Sequence, residues 1–329
     1  MTDISYPRLA SEFLRALRGR RSQLAFSRRL GYRSNVVYSW EAGRRYPTAA
    51  ETLRAIASSG RDPAAIWAGF YSAPPAWLGR VDTTTPRGIA WLLSDLRGRA
   101  SIQEVAERSG LSRFQISRWL NGQSQPRLPE FLLLFDALSL RLLDWLAAIV
   151  DLRQLSSVQR AWQELEAQRR AAVEFPWTQA VLQALELADY RALPGHEAGW
   201  IAARLGIAQA EEQRCLQALE AGGQIRWDGQ RWSVSAVMSV DTRPTPEDGR
   251  KMKALWAEEG LRQLRAGSNG QFSYNVFGVS EADLKRIQKL HLAYYRQLRA
   301  IVADSAPTQR VAVVNVQLFA LDAGELGPG

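Results

Sequence analysis

The sequence contains an internal repeat with an offset of 79 residues, and this repeat limits the folds that the chain can adopt. SRRLGYRSNVVYSWEAGRRYP (27–47) aligns with AERSGLSRFQISRWLNGQSQP (106–126). The recurring residues are Gly31, Trp40, Gly43 and Pro47, which return as Gly110, Trp119, Gly122 and Pro126. The match extends outward, since LRALRGRRS (14–22) pairs with LSDLRGRAS (93–101) and ETLRAIA (51–57) with EFLLLFD (130–136). A repeat of this length predicts a duplicated small domain.

Hydrophobic periodicity predicts short helices within each copy. In the first copy, Phe13, Leu14 and Leu17 form an apolar stripe on helix one, and Ser22 can cap a second helix that ends before Gly31. A third helix is expected to open at Ser34 and to end at Gly43. Two short helices joined by a tight glycine-containing turn form a helix-turn-helix.

The motifs resemble a known family. SQLAFSRRLGYRSNVVYSWEAGRRYPTAAETL (22–53) resembles the Cro/CI-type helix-turn-helix of phage and bacterial repressors. The stretch 101–132 resembles the same family, but Ile102 replaces the Gln and Leu120 replaces the Glu of the first copy. The resemblance implies two DNA-binding domains in tandem over about residues 10–150, each with its third helix in the major groove.

The resemblance also implies the residues that contact DNA. Asn can bond adenine, Arg can bond guanine and Ser can donate or accept, so the exposed start of the third helix has suitable chemistry. The expected base-reading residues are Arg33, Ser34, Asn35, Tyr38 and Ser39 in the first copy and Arg113, Gln115 and Arg118 in the second. The expected phosphate contacts are Gln23, Arg44 and Arg45. Phe114 stands among the second set and suits either a thymine methyl or a protein surface.

Net charge separates the two copies. The chain carries +9, and residues 1–80 hold 13 Arg against 5 acidic residues, which gives +8. Residues 81–150 contribute only +1. We therefore expect the first copy to supply most of the affinity for a polyanion. Because Arg15 and Glu41 become Ser94 and Leu120 together, we also expect Arg15 to pair with Glu41.

Beyond the repeat, residues 152–172 predict a connecting helix and 173–240 predict a winged-helix-like domain. Three predicted helices precede IRWDGQRWSV (225–234), which alternates around Asp228-Gly229, a strong hairpin signal. The third of these helices carries Glu211, Glu212 and Glu220, which argues against phosphate contact and favours a spacer or protein-contact role. Cys215 lies on its apolar face and is expected in the core.

Residues 241–329 predict a small α+β domain, with strands at 272–280 and 310–321 and a helix at 281–305. The region resembles the C-terminal domain of a family of uncharacterised bacterial regulators, which implies regulation without naming a ligand. A strand that is apolar on both faces needs cover on both, so we expect a homodimer held by residues 270–321. The competing hypothesis is a monomer, since one chain already holds two reading helices.

The residue inventory gives no support to an enzyme. The chain has two His and one Cys, and no phosphate-binding loop, nucleophile elbow or metal-ligand spacing occurs. We expect no cofactor and no metal. Charges interrupt the most apolar window (131–150), which therefore predicts a buried helix and no membrane span. The start of the chain lacks the layout of a signal peptide, which favours the cytoplasm.

Together these features predict a mainly α protein. The predicted domains are two helix-turn-helix bundles (1–79 and 80–151), the connecting helix (152–172), the winged-helix-like domain (173–240) and the C-terminal α+β domain (241–329). The predicted function is a sequence-specific DNA-binding transcription regulator, specifically a repressor, with double-stranded DNA as partner. A small-molecule or protein effector is left open. The alternative is a protein-interaction module, such as an antitoxin or scaffold, built on degenerate helix-turn-helix domains.

Overall fold

The structure is a computed structural model that describes residues 4–71, 75–98, 100–235, 246–303 and 305–322. It is mainly α-helical, as predicted, and divides into two compact units within Met1–Trp162 and Gln163–Gly327. The predicted boundary at 240/241 and the end of the last predicted domain lie outside the described residues.

The first unit contains both copies of the repeat, each folded as five helices. Copy one comprises α1 (Tyr6–Arg18), α2 (Gln23–Arg29), α3 (Val36–Glu41), α4 (Ala49–Ser58) and α5 (Pro63–Phe70). Copy two comprises α6 (Pro86–Arg97), α7 (Ile102–Ser109), α8 (Arg113–Leu120), α9 (Leu128–Ser139) and α10 (Leu142–Ala147). The turns repeat as well, because equivalent glycines share the left-handed conformation: φ is 85° at Gly31 and 69° at Gly110, and 70° at Gly43 and 69° at Gly122.

The two copies pair through the loop that follows each third helix. The Ala49 N–H donates to the Pro126 carbonyl at 3.0 Å, and the Leu128 N–H donates to the Pro47 carbonyl at 2.8 Å. The two hydrogen bonds are equivalent under the 79-residue offset, because Ala49 corresponds to Leu128 and Pro126 to Pro47. They flank an antiparallel bridge between Thr48 and Arg127, which also correspond to each other. The bridge therefore lies on a local two-fold axis that relates copy one to copy two.

Helix packing follows the same symmetry and produces one core. Helix α1 packs on α9, its symmetry equivalent α6 packs on α4, and α5 packs on α10 across the axis. Trp67 of α5 and Trp145 of α10 are both buried, and their rings stack at 5.4 Å with an interplanar angle of 20°. The apolar residues of both copies belong to a single buried cluster. The two copies are thus halves of one folded unit.

The segment after copy two returns to the first helix of copy one. It contains a 3-10 helix (Leu152–Gln154) and leads into α11 (Gln159–Glu174). The Glu12 carboxylate accepts hydrogen bonds from the Ser156 hydroxyl at 2.6 Å and from the Ser157 amide and hydroxyl at 3.0 and 2.7 Å. Burial opposes ionisation of Glu12, but these hydrogen bonds outweigh it and lower its pKa to about 2.

The second unit begins with a helical cluster and a hairpin. Its helices are α12 (Thr178–Leu185), α13 (Ala188–Arg191), α14 (Trp200–Leu205) and α15 (Gln209–Ala221). Strands β1 (Ile225–Trp227) and β2 (Trp232–Val234) pair antiparallel, with Ile225 opposite Val234 and Trp227 opposite Trp232. The Asp228 side chain accepts hydrogen bonds from the backbone of Gln230 and Arg231, which closes the turn. The predicted hairpin is confirmed, and Cys215 is buried as expected.

The C-terminal region contains two further helices, α16 (Pro246–Arg265) and α17 (Glu281–Ala303). The expectation of strands at 272–280 and 310–321 was wrong for the described residues, which form no ladder in either stretch. A strand needs a hydrogen-bonded neighbour, and neither segment pairs with one here. Both leave large apolar side chains exposed, including Tyr274, Val276, Val314 and Phe319.

Candidate nucleic-acid interface

The third helix of copy one starts later than its sequence suggests. Asn35 is the N-cap, and its Oδ1 accepts a hydrogen bond from the Tyr38 amide at 3.3 Å. The buried Ser27 hydroxyl lies 3.3 Å from the same oxygen and accepts from the Val37 amide at 3.1 Å. The predicted start at Ser34 was therefore wrong, because Ser27 favours a cap one residue further along.

The predicted readers of copy one lie before and along this short helix. Arg33, Ser34 and Asn35 are exposed and precede α3, whereas Tyr38 is exposed on its surface and Ser39 is half-buried. The Arg44 guanidinium lies 5.3 Å from the centre of the Tyr38 ring, a cation–π contact. The structure thus brings a polar, exposed end of α3 next to a cationic side chain.

The third helix of copy two has a different start. Ser112 caps α8 by accepting from the Gln115 amide at 3.2 Å, and its hydroxyl donates to the Gln115 side-chain oxygen at 3.0 Å. The predicted readers Arg113, Gln115 and Arg118 are all exposed. Phe114 is 72% exposed and has Arg118 5.9 Å from its ring centre. This end of the unit therefore offers an aromatic surface where copy one offers Asn35.

The buried ion pair of copy one involves Arg18, and the expectation of an Arg15–Glu41 pair was wrong. Arg18 Nε donates to Glu41 Oε1 at 2.5 Å, and Gln23 Nε2 donates to Glu41 Oε2 at 2.7 Å. Arg15 is exposed. Both arginines lie on α1, three residues apart, and the packing of the helix selects the one that faces α3. The Gln23 amide has two N–H groups, so its phosphate contact stays a prediction alongside the bond to Glu41.

Copy two replaces this polar network with apolar contacts. Ile102 and Leu120 stand at the positions of Gln23 and Glu41 and pack against the shared core. Arg97, at the position of Arg18, is retained, and its buried Nε has no hydrogen-bond partner among the described residues. The residues that change together between the copies are therefore Gln23 and Glu41. The arginine of the network is kept as Arg97, although the carboxylate of Glu41 is replaced by Leu120.

Copy one carries exposed arginines in the stretch 20–45, which also holds Gln23 and Glu41 of the network. This basic face comprises Arg20, Arg21, Arg28, Arg33, Arg44 and Arg45. Arg21 is tied to the network because its carbonyl accepts from Arg18, and Arg44 and Arg45 follow α3 directly. At five of the six equivalent positions copy two has a residue that is not basic. These residues are Ala100, Glu107, Ser112, Gln123 and Ser124. The sixth, Arg99, lies outside the described residues.

Helix α15 of the second unit exposes fewer acidic side chains than its sequence suggests. Glu212 is buried, and its carboxylate accepts hydrogen bonds from the Gly199 amide at 3.1 Å and the Ala202 amide at 2.5 Å, where α14 begins. Burial lowers the pKa of the neighbouring His196, although Glu212 opposes that shift. Glu212 thus stabilises the start of α14 and was wrongly assigned to an outward-facing acidic surface, whereas Glu220 is exposed.

The described residues provide neither a metal centre nor a membrane segment. Within them, no three His, Cys, Asp or Glu side chains are grouped so as to hold a metal ion. No helix in the described ranges combines the length and apolarity needed to cross a bilayer.

Comparison with protein families gives two matches. Residues 156–321, about half of the chain, match a family described as "Domain of unknown function (DUF4423)". The chain belongs to the DUF4423 family. In this DUF4423 protein, residues 99–145 also match a helix-turn-helix family, which covers α7, α8 and α9. No curated protein and no solved structure matches the chain.

The helix-turn-helix match falls on copy two, although copy one carries the charge. It indicates a DNA-binding transcription regulator. Copy one has equivalent helices and turns, and it is related to the matched copy by the local two-fold axis. The DUF4423 region spans the helical cluster, the hairpin and the C-terminal helices, and its family description assigns it no function.

Proposed function

We propose that this DUF4423 protein is a sequence-specific DNA-binding repressor that reads the major groove chiefly with the start of α3. The observation that carries the proposal is the basic face of copy one, whose exposed arginines precede and follow an exposed, polar helix start within a helix-turn-helix layout. Arg33, Ser34, Asn35 and Tyr38 present base-edge chemistry, and Arg44 and Arg45 lie where they can contact the backbone.

The two copies have different roles in this proposal. Copy one provides most of the phosphate contacts, because the arginines around α3 are exposed and those of copy two are mostly replaced. Copy two contributes reading through Arg113, Gln115 and Arg118, with weaker electrostatic attraction. Since neutralised phosphates dominate non-specific affinity, the affinity of the whole chain depends mainly on copy one.

The alternative function is a protein-interaction module, and Phe114 is the observation that favours it. A large aromatic side chain that is 72% exposed is typical of contact surfaces. Electrophoretic shift of the full chain against the DNA upstream of its own gene separates the two proposals. We expect a shift that weakens as salt rises. A chain that shifts no duplex, yet binds a protein partner through Phe114, would support the alternative.

The C-terminal region is proposed to hold a homodimer. The segments at 272–280 and 310–321 expose Tyr274, Val276, Val314 and Phe319, and α17 exposes Leu290 and Ile301. Burial of these exposed apolar side chains is favourable, and the same segments of a second chain provide a matching apolar surface. Light scattering of the full chain at micromolar concentration tests this. A particle of 36.8 kDa, the mass of one chain, would contradict it.

A regulatory role fits the second unit. It has a separate core around Tyr190, Ile201 and Cys215. Its helical cluster and hairpin resemble a winged helix, which we propose to act as a spacer or protein-contact module. A small-molecule or protein effector would bind within this unit. The affinity of the full chain for DNA, measured with and without a candidate compound or protein, identifies the effector.

A further inference from the structure

We infer that a single chain is a complete two-headed DNA reader, and that its operator consists of two inverted half-sites with different sequences. This inference rests on the proposed DNA-binding function and adds the form of the DNA that the protein recognises. Repressors with one reading helix per chain need a dimer to read inverted half-sites. Here the structure places that two-fold relation inside one chain.

The evidence is the reciprocal pairing of the two copies. Ala49 donates to Pro126 as Leu128 donates to Pro47, and the numbers differ by 79 in both cases. An antiparallel bridge at Thr48 and Arg127 has a local two-fold axis at its centre. Helices α3 and α8 precede these paired loops, so the axis relates the two reading helices to each other in opposite directions.

A shared core fixes the relation between the two heads. The contacts of α1 with α9 and of α6 with α4 cross the axis, and the stacked Trp67 and Trp145 are buried between the copies. Helix α9 also accepts a hydrogen bond from α1, since Tyr6 donates to Asp136 at 2.7 Å. Two domains on a flexible linker would tolerate variable half-site spacing, whereas halves of one core require a fixed spacing.

The two heads have different chemistry, so their half-sites must differ. At equivalent positions copy one has Asn35, the N-cap of α3, where copy two has Phe114 on α8, and it has Tyr38 where copy two has Ser117. Asn suits adenine, whereas an aromatic ring suits a thymine methyl. The operator of one chain is therefore an inverted but asymmetric sequence. A homodimer held through residues 272–321 would then carry two such readers.

The first test is selection of duplexes from a random pool with the full chain, followed by variants of exposed residues that leave the core intact. Arg33→Ala with Asn35→Ser, which keeps a capping oxygen for α3, should relax preference in one half of the selected site only. Gln115→Ala with Arg118→Ala should relax it in the other half only. A single half-site, or variants that affect the same half, would overturn the inference.

The second test is spacing. Insertion of about 5 base pairs between the half-sites turns them to opposite faces of the duplex. We expect affinity to fall about tenfold or more, to that of the stronger half-site alone. Unchanged affinity would show that the heads are not rigidly coupled and would contradict the inference.

The third test measures orientation directly. Leu24 and Gln103 are exposed, equivalent positions on α2 and α7. A DNA-cleaving iron chelate on Leu24→Cys or Gln103→Cys should cut at positions that are symmetric about the operator centre, on opposite strands. Burial raises the pKa of the native Cys215 thiol to about 12, so labelling at that residue is slow. Cuts in direct-repeat orientation would overturn the inference.

These outcomes separate the inference from the proposed function. If the full chain selects no sequence and shifts no duplex, the proposed function fails, and the inference fails with it. The other outcome is a selected site that the spacing, variant and cleavage tests show to be a single half-site or a direct repeat of half-sites. In that case the proposed function stands and only the inference is wrong.

Discussion

Copy one and copy two have the same five helices but maintain them with different chemistry. In copy one, Glu41 joins Arg18 and Gln23 in a polar network next to the basic face. In copy two, Leu120 and Ile102 occupy the equivalent positions, and Arg97 remains without the carboxylate. The comparison shows that the shared five-helix backbone depends on turns and core positions, whereas the surface charge and the ion pair differ between the copies.

The family match supports the same distinction. It falls on copy two, which has little excess charge and lacks the Gln and Glu of copy one, so the match depends neither on those two residues nor on excess positive charge. Function therefore has to be argued from exposed residues, and the exposed arginines of the basic face lie in copy one.

The largest expected effect concerns the ion pair. Glu41→Ala leaves Arg18 partly buried without its carboxylate and should lower the free energy of unfolding by about 3 kcal/mol. The double change Glu41→Leu with Gln23→Ile, which copies the residues of copy two, should recover a large part of that loss. Chemical denaturation followed by circular dichroism measures both. A double variant as unstable as Glu41→Ala would show that copy two depends on something other than this substitution.

The next effect concerns specificity. Asn35→Ala should reduce discrimination at one base pair by about 1–3 kcal/mol, and it also removes the cap of α3. Asn35→Ser keeps a capping oxygen and should lose discrimination without the helix defect. Binding-site selection with each variant separates reading from capping. An operator preference that survives both substitutions would place the reading residues elsewhere.

The smallest effect concerns the connection between the copies and the chain that follows. Glu12 holds Ser156 and Ser157, whereas Trp91, its equivalent in copy two, is exposed. Because the folded-state pKa of Glu12 is about 2, below that of an unfolded Glu, its stabilisation is complete above about pH 5 and is lost as pH falls towards 2.

Glu12→Gln should therefore cost about 1–2 kcal/mol at neutral pH, with a difference from the original chain that shrinks towards pH 2. Thermal unfolding across this pH range measures the difference, and Trp91→Gln is the matched control. A constant difference at all pH values would mean that the ionised carboxylate does not carry the stabilisation.

Much of the fold was accessible from the sequence. The 79-residue offset predicted the duplicated helices, the positive-φ glycines marked the turns, and Asp228-Gly229 marked the hairpin. The partner of Glu41 was missed because Arg15 and Arg18 are three residues apart on one helix, and only packing decides which faces α3. The start of α3 was missed because the hydrogen bonds of Ser27 with Asn35 and Val37 join residues from two helices.

Other features required the three-dimensional structure. The two-fold relation depends on the backbone atoms of Pro47, Ala49, Pro126 and Leu128, which carry no side-chain signal for pairing. The apolar stretch at 310–321 has a strand-like composition, but composition does not provide the neighbour that a ladder needs. The exposed positions of Arg113, Gln115 and Arg118 were, by contrast, predictable from their spacing on α8.

Salt dependence tests the central claim, that copy one provides the phosphate contacts. Fluorescence anisotropy of the full chain on its selected duplex, between about 50 and 200 mM salt, gives the slope of log Kd against log salt. Arg44→Ala with Arg45→Ala should reduce that slope by roughly 1.8, because each phosphate contact contributes about 0.9. Gln123→Ala with Ser124→Ala, the equivalent change in copy two, should leave the slope unchanged. An unchanged slope in the arginine variant, or an equal loss in both, would contradict the account.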